Sequence, residues 1–337
     1  KDERLRQALS FEPLLVGGNP VSVPGIYLLI HWLERKWGVH YAMGGTGALV
    51  EALCKLFTSR GGTIRYGAPV EKVLVQNGEA KGVYADGQEL KADVVVCNAD
   101  PTIVYEQLID KEHLKKNTPR AVRKKSQSMS LFVAYFGAKK QYENLAHHTV
   151  VLGPRYQGLL KDIFQKKVLA DDFSLYLHAP CRSDRQMAPE GHDSFYVLSP
   201  VPNQKSGIDW AARADEYRDA IIDSLEERLM PGLRENLTTC FSVDPRYFEG
   251  EMRSADGAAF GIEPKLTQSA YFRYHNRSED IQGLYFVGAS THPGAGMPGV
   301  ILSAKVMERE IFGSVAEGED LSTKATISNT WDSAHAV

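Results

Sequence analysis

The stretch from Gly283 to Gly299, GLYFVGASTHPGAGMPG, running on into Val300-Ile301-Leu302, allows few structures. Leu284 to Val287 are four apolar residues of β-preferring type, the glycines behind them demand a tight turn, and Ile301, Ala304, Met307 and Ile311 then recur at helical spacing. The pattern predicts strand, loop and helix in succession. A helix that opens on such a loop presents free N–H groups and the positive end of its dipole, which favours an anionic group. Gly294, Gly296 and Gly299 even spell G-x-G-x-x-G. A dinucleotide fingerprint, however, needs a further strand and an acidic residue about 20 positions on, whereas the chain turns polar and Gly-, Ser- and Thr-rich after Phe312. A ligand-binding turn and a purely structural connection both stay open on this evidence of pattern.

A second glycine turn, Gly44-Gly45-Thr46-Gly47, opens a helix carrying Leu49, Leu53, Leu56 and Phe57. From Gly61 the period changes to two. Short strands are expected at 63–66, 70–75 and 82–85, with an Asp86-Gly87 hairpin turn, before the continuous apolar run 93–97 of a buried parallel strand. Strands are also expected at 130–136, 173–178 and 194–198, forming a second, mostly antiparallel sheet, and an amphipathic helix over 210–230 ends at Pro231-Gly232. Residues 2–16 read as an amphipathic helix stopped at Gly17-Gly18-Asn19-Pro20. The run from Ile26 to Arg35 is apolar nearly all round, which fits a buried helix or one facing lipid or a greasy ligand, and the buried reading is favoured. Residues 102–125 read as a basic helix, a solvated face by default and a contact for anionic headgroups as the sharper alternative.

The 337 residues carry 39 basic and 42 acidic side chains, a net charge of −3, so no global field favours nucleic acid. Cys54, Cys97, Cys181 and Cys240 are scattered and form no C-x-x-C pair, which speaks for reduced thiols rather than a zinc or disulfide framework. No metal is expected. His147 and His148 are adjacent rather than three or four apart, and His31 stands alone on an apolar face. Neither a nucleophile elbow nor a zinc-protease helix motif occurs. The longest apolar runs are too short to span a bilayer. Lys1 enters a helical pattern at once, without an initiator Met, which leads to the expectation that the chain is cut in mid-domain and that something lies upstream.

These residues resemble the bacterial-type phytoene desaturases of carotenoid synthesis, within the FAD-dependent amine-oxidase-like flavoproteins. The resemblance rests on Tyr285 to Val300, with Phe11 to Pro20, Gly44 to Val50, Asn98-Ala99-Asp100 and Ser174 to Cys181, and covers essentially residues 1–313. It implies a mixed α/β (α+β) fold: an FAD-binding Rossmann-like domain lacking its first βαβ unit, plus a substrate domain with a mostly antiparallel sheet and helices. The implied division is a helical substrate- or membrane-facing part at 1–40, FAD-binding segments at 41–100 and 280–313, a substrate domain at 101–279 and a tail at 314–337. The family's glycine-rich first unit has no counterpart before Gly294, so a chain like this alone is expected to be inactive and to hold FAD weakly. Gly44, Gly45, Val70, Asn98, Gly288, Thr291, Pro293, Gly294, Gly296 and Gly299 are the implied cofactor contacts, Val70 at the adenine end and the turn at 291–293 beside the flavin ring.

The implied reaction is desaturation of phytoene towards neurosporene or lycopene, with hydride transfer to flavin. Phytoene has no group to hydrogen-bond, so its site must be an apolar tunnel, and the runs at 26–33 and 130–136 are candidate walls. His292 is a weak candidate for proton transfer or for stabilising charge on the flavin, with a structural role in the turn slightly favoured. No carboxylate is singled out as a base. A quinone or oxygen as electron acceptor and a cytoplasmic, peripherally membrane-associated location complete the implied picture. A related desaturase or isomerase acting on another polyene, and an inactive apolar-ligand or membrane-binding fragment, are the alternatives.

Overall fold

A computed structural model describes residues 2–313, so the tail expected over 314–337 lies outside the described residues. The dominant element is a five-stranded antiparallel sheet. Its strands are β5 (Ser130–Ala138), β6 (His148–Val151), β7 (Leu175–His178), β8 (Asp193–Val201) and β9 (Leu237–Val243), in the order β6-β7-β8-β5-β9. Strand alternation sends Phe132, Ala134, Phe136 and Ala138 of β5 to one face, where they pack with Val197, Trp210, Tyr217, Ile221 and Leu225 in the largest buried cluster. Trp210, Tyr217, Ile221 and Leu225 belong to helix α4 (Trp210–Arg228), which starts where Asp209 accepts the Ala211 and Ala212 N–H groups. Leu131, Val133 and Tyr135 point to the opposite face. The strands predicted at 130–136, 173–178 and 194–198 are therefore present, and β6 and β9 join them at the edges.

A smaller unit contains the meander β1 (Val70–Gln76), β2 (Glu79–Ala85) and β3 (Gln88–Lys91), and a parallel pair of β4 (Val95–Cys97) with β10 (Leu284–Phe286). The predicted strand at 63–66 is absent; those residues form bends and irregular backbone. Helix α3 (Gly45–Ser59) and the last helix, α5 (Met297–Phe312), follow the two glycine turns as expected. In α3 only Gly45 is buried, and in α5 only Ser303.

Three helical expectations need correction. Pro13 divides the N-terminal segment into α1 (Glu3–Ser10) and a 3-10 stretch, Glu12–Val16, which Gly17 closes with φ +79°. The run from Ile26 resolves into a 3-10 turn at Gly25–Leu28 and α2 (Leu29–Trp37), and neither contains a buried residue. Ile26, Leu29, Trp32 and Trp37 are all exposed, so the buried reading of this apolar helix is wrong. Apolar residues on every side establish that a helix wants partners, without placing those partners in the same chain. The basic segment 102–125 is broken into short turns around buried Val104, Tyr105 and Val122, with a new start at Thr118-Pro119.

Candidate functional site

The outer face of the five-stranded sheet carries a row of rings across every strand. His148 pairs with His178, His178 with Tyr196, Tyr196 with Tyr135 and Tyr135 with Phe241. Directly opposed residues in a sheet share a face, so the five rings form one continuous ladder. The His178 and Tyr196 rings stack with centres 4.5 Å apart, and Tyr135 and Phe241 at 5.1 Å. This ladder floors a cavity of about 830 Å³, whose rim includes Gly45 and Thr46 of α3 and Met297 at the start of α5. Two residues further along the strands lies the row Val150, Tyr176, Leu198. That row borders a second apolar hollow of about 280 Å³ with Phe11, Leu14 and Leu131, and Tyr196 lines both spaces. Of the two runs expected as walls, 130–136 borders these spaces through Leu131, Tyr135 and Phe136, whereas 26–33 lines neither.

The glycine turn before α5 is held from three sides. Gly288 (φ +110°) lies so close to Asn98 that a Cβ would sit 2.7 Å from its Oδ1, and the Gly288 N–H donates to the buried Ser303 hydroxyl at 2.9 Å. Thr291 is fully buried and donates its hydroxyl to the Gly288 carbonyl at 2.8 Å, which makes its side chain a brace of the turn. The Arg273 guanidinium, almost completely buried, donates to the carbonyls of Thr291 at 3.0 Å, Ile262 at 3.4 Å and Ala289. Burial pushes its pKa down to about 10, so it still carries its charge at neutral pH. Sequence reasoning passed over Arg273, which stands in the unremarkable run Tyr271-Phe272-Arg273-Tyr274; only the three carbonyls that converge on it reveal its role.

The predicted contacts fall into groups. Asn98, Gly288, Thr291, Pro293, Gly294 and Gly296 do belong to one turn and its neighbour strand, and the His292–Pro293 peptide is cis. Gly294 (φ +143°) and Gly296 (φ +92°) leave the space of an added Cβ at 3.5 Å or more from any neighbour, so they give a ligand close access to backbone. Gly299 has another reason to lack a side chain, because a Cβ there would lie 2.6 Å from the Gly294 carbonyl oxygen. At α3 the Gly44 N–H donates to the Asp184 carboxylate at 2.7 Å and the Gly45 N–H to the Ala42 carbonyl, so the anion at that turn is the protein's own. Val70 begins β1 opposite Ala85, in the meander rather than in the turn. His292 opens on a different cleft, with Tyr271 and His275, and its buried Nδ1 has no hydrogen-bond partner. His31 is not a core residue: its Nε2 meets the Leu9 carbonyl at 3.0 Å and its Nδ1 lies 3.4 Å from the Glu12 carboxylate.

Against this geometry, residues 1–306 match the family of flavin-containing amine oxidoreductases. The chain belongs to that family. It is 51% identical over 307 residues to a lycopene-forming phytoene desaturase of Pseudescherichia vulneris, covering 90% of this chain and 62% of the relative. With a neurosporene-forming phytoene desaturase of Rhodobacter capsulatus it shares 46% identity over 318 residues, 92% of this chain and 61% of the relative. The chain thus spans somewhat less than two thirds of the length of these curated relatives. Among solved structures, an oxidoreductase from Methanosarcina mazei superposes with a TM-score of 0.64 at 21% identity, covering 91% of this chain and 65% of that one. Cyclohexylamine oxidase from Brevibacterium oxydans gives 0.54 at 12% identity, covering 92% and 66%. Membership of this family accounts for the mixed architecture, which combines an antiparallel five-stranded sheet with a parallel pair.

The family implies a flavin, and the turn before α5 fits one. It offers open glycine backbone at 294 and 296 and a helix start that no side chain among the described residues caps.

Proposed function

We propose that this chain is part of an FAD-dependent carotenoid desaturase that acts on phytoene, in the direction of neurosporene or lycopene. The ring ladder on the outer face of the sheet carries the proposal. A hydrocarbon of this kind is recognised by shape and burial, at about 25 cal/mol per Å² of apolar surface removed from water. The two neighbouring hollows that share Tyr196 supply such a surface, with Tyr135, Phe241 and Tyr176 as flat rings against which a polyene can lie. The similarity to two phytoene desaturases at 46–51% identity supports the same substrate class.

Asn98, Gly288, Gly294 and Gly296 would hold the cofactor through backbone and turn, with Thr291 and Arg273 keeping that turn in shape. Bound FAD would supply a two-electron acceptor for the hydride taken from an allylic carbon, with a proton lost from the neighbouring carbon as the double bond forms. What the protein adds is alignment and exclusion of water: the ladder fixes the chain, and Met297 lines the cavity where α5 leaves the turn. A quinone or oxygen is the proposed acceptor class for the electrons. The exposed apolar face of α2, with Trp32, Trp37 and the intervening Lys36 ammonium 4.7 and 4.9 Å from their ring centres, supports peripheral docking on a membrane from the cytoplasmic side, where the substrate dissolves.

The test is reconstitution of the full-length protein with FAD, followed by anaerobic addition of phytoene in lipid vesicles and a quinone. A bound flavin spectrum and red-shifted polyene absorption are expected. A protein that binds no flavin, or that binds it and leaves phytoene unchanged, defeats the proposal. In the same assay His292→Ala is expected to leave turnover within about threefold, because His292 faces the other cleft; a loss of about 100-fold or more would place it in proton transfer.

A further inference from the structure

We propose that His147, His148 and His178 form a binding site for a divalent transition-metal ion of the zinc type at the edge of the cavity. One ring nitrogen from each lies within 4.8 Å of those of the other two. Adjacent histidines on a strand point to opposite faces, which is why their spacing alone speaks against a shared ion. The fold overcomes this because β6 begins only at His148, leaving His147 in the preceding loop, and because β7 places His178 directly opposite His148.

The distances suit tetrahedral coordination. The Nδ1 atoms of His148 and His178 face each other at 3.4 Å. Zn–N bonds of about 2.0–2.1 Å in a tetrahedron separate two ligand nitrogens by roughly 3.3–3.4 Å. Two neutral imidazole nitrogens can share at most one hydrogen at that spacing, whereas a cation between them uses both lone pairs. The third nitrogen is prepared as well. Ser183 Oγ engages His147 Nδ1 at 2.6 Å, which leaves Nε2, and that atom is buried without a hydrogen-bond partner among the described residues. A hydrogen bond on the far ring nitrogen is how proteins orient a metal-binding histidine. The Tyr41 ring packs against both His147 and His178, and the Tyr176 hydroxyl hydrogen-bonds His148 Nδ1 at 2.5 Å, a contact that a metal on that nitrogen displaces.

An all-imidazole set selects Zn²⁺, Cu²⁺, Ni²⁺ or Fe²⁺ over Mg²⁺ or Ca²⁺. His148 and His178 line the cavity, so a fourth position can face it and take water or a ligand oxygen. The site rests on protein atoms alone and does not depend on the desaturase reading.

The experiment uses the full chain, purified without a histidine tag and freed of metal with a chelator, then titrated with Zn²⁺ by calorimetry and with Co²⁺ by visible absorption. One Zn²⁺ per chain at micromolar or tighter Kd is expected, together with the intense visible bands of tetrahedral Co²⁺. His178→Ala and, separately, His148→Phe should each weaken binding by about 100-fold, and Ser183→Ala by about 10-fold. His113→Ala, in an exposed cluster elsewhere, should change nothing. Absence of stoichiometric Zn²⁺ binding by the wild-type chain overturns the proposal. So does undiminished binding by either His178→Ala or His148→Phe; the second keeps a ring in the ladder and guards against loss of fold in the first.

Discussion

At the scale of single residues, Arg273 shows how a buried charge can serve a loop. It is nine-tenths or more removed from water and, among the described residues, has no carboxylate in hydrogen-bond contact; its partners are the carbonyls of Thr291, Ile262 and Ala289. Hydrogen bonds from a charged donor contribute about 1.5–3 kcal/mol each, and unmet carbonyls in a dry site cost about 1–3 kcal/mol. The guanidinium spans three acceptors on two segments because its donors are fixed in a plane. An ammonium cannot reproduce that fork. Arg273→Lys is therefore expected to destabilise the protein by about 2–4 kcal/mol. It should lower the urea midpoint at constant m-value, and lower flavin affinity in the full-length protein along with it. A change of under about 0.5 kcal/mol would show that the turn holds without this clamp.

At the scale of elements, α2 and the outer sheet face both leave apolar residues in contact with water, and they differ in setting. The sheet face lines a cavity with its ring ladder; α2 is open, with Trp32, Leu33 and Trp37 exposed and Arg35 and Lys36 in its last turn. An open apolar face bordered by cations suits a lipid interface. Replacing Trp32 and Trp37 by Ser together is expected to reduce partition into vesicles containing anionic lipid by at least about tenfold in a sedimentation assay, while the thermal midpoint stays within about 2 °C because neither ring is buried. Equal partition of the variant and the parent would remove α2 from membrane contact. These two elements also mark what the sequence makes legible. The strand, turn and α5 could be read from Leu284 to Ile311 because glycine, β-preferring and helical patterns follow one another along the chain. The 130–136 strand could be read from period two. The burial state of α2 could not, since periodicity reports what a helix requires rather than what surrounds it. His178 opposite His148, and Arg273 among its carbonyls, are likewise invisible in linear spacing, because each depends on segments that only the fold brings together.

At the scale of the molecule, the two units are unequally finished. The five-stranded sheet has a continuous core from Phe132 to Leu233, closed by α4. The unit around β4 and β10 has a buried cluster of its own, including Val73, Tyr105, Ile262 and Phe286, yet its two helices are bare: Val50, Leu53, Leu56 and Phe57 of α3, and Ile301 and Leu302 of α5, are each more than half exposed. Val96 of β4, at 44% exposure, adds to the apolar surface of that unit. Exposed apolar surface on this scale drives association unless something covers it. The 337-residue chain in isolation should consequently bind a hydrophobic dye strongly and sediment as a mixture of associated species. Introducing charge with Leu53→Lys and Leu56→Lys should shift the population towards monomer at the same protein concentration, with little change in far-ultraviolet circular dichroism, since both side chains point into solvent. Within the longer protein proposed above, the same pair of substitutions has the opposite value. If α3 is covered there, each lysine must be desolvated, and the full-length variant should lose at least about 2 kcal/mol of stability or fail to assemble. A monomeric isolated chain, or a full-length variant as stable as its parent, would show that these helix faces are left to solvent in both forms.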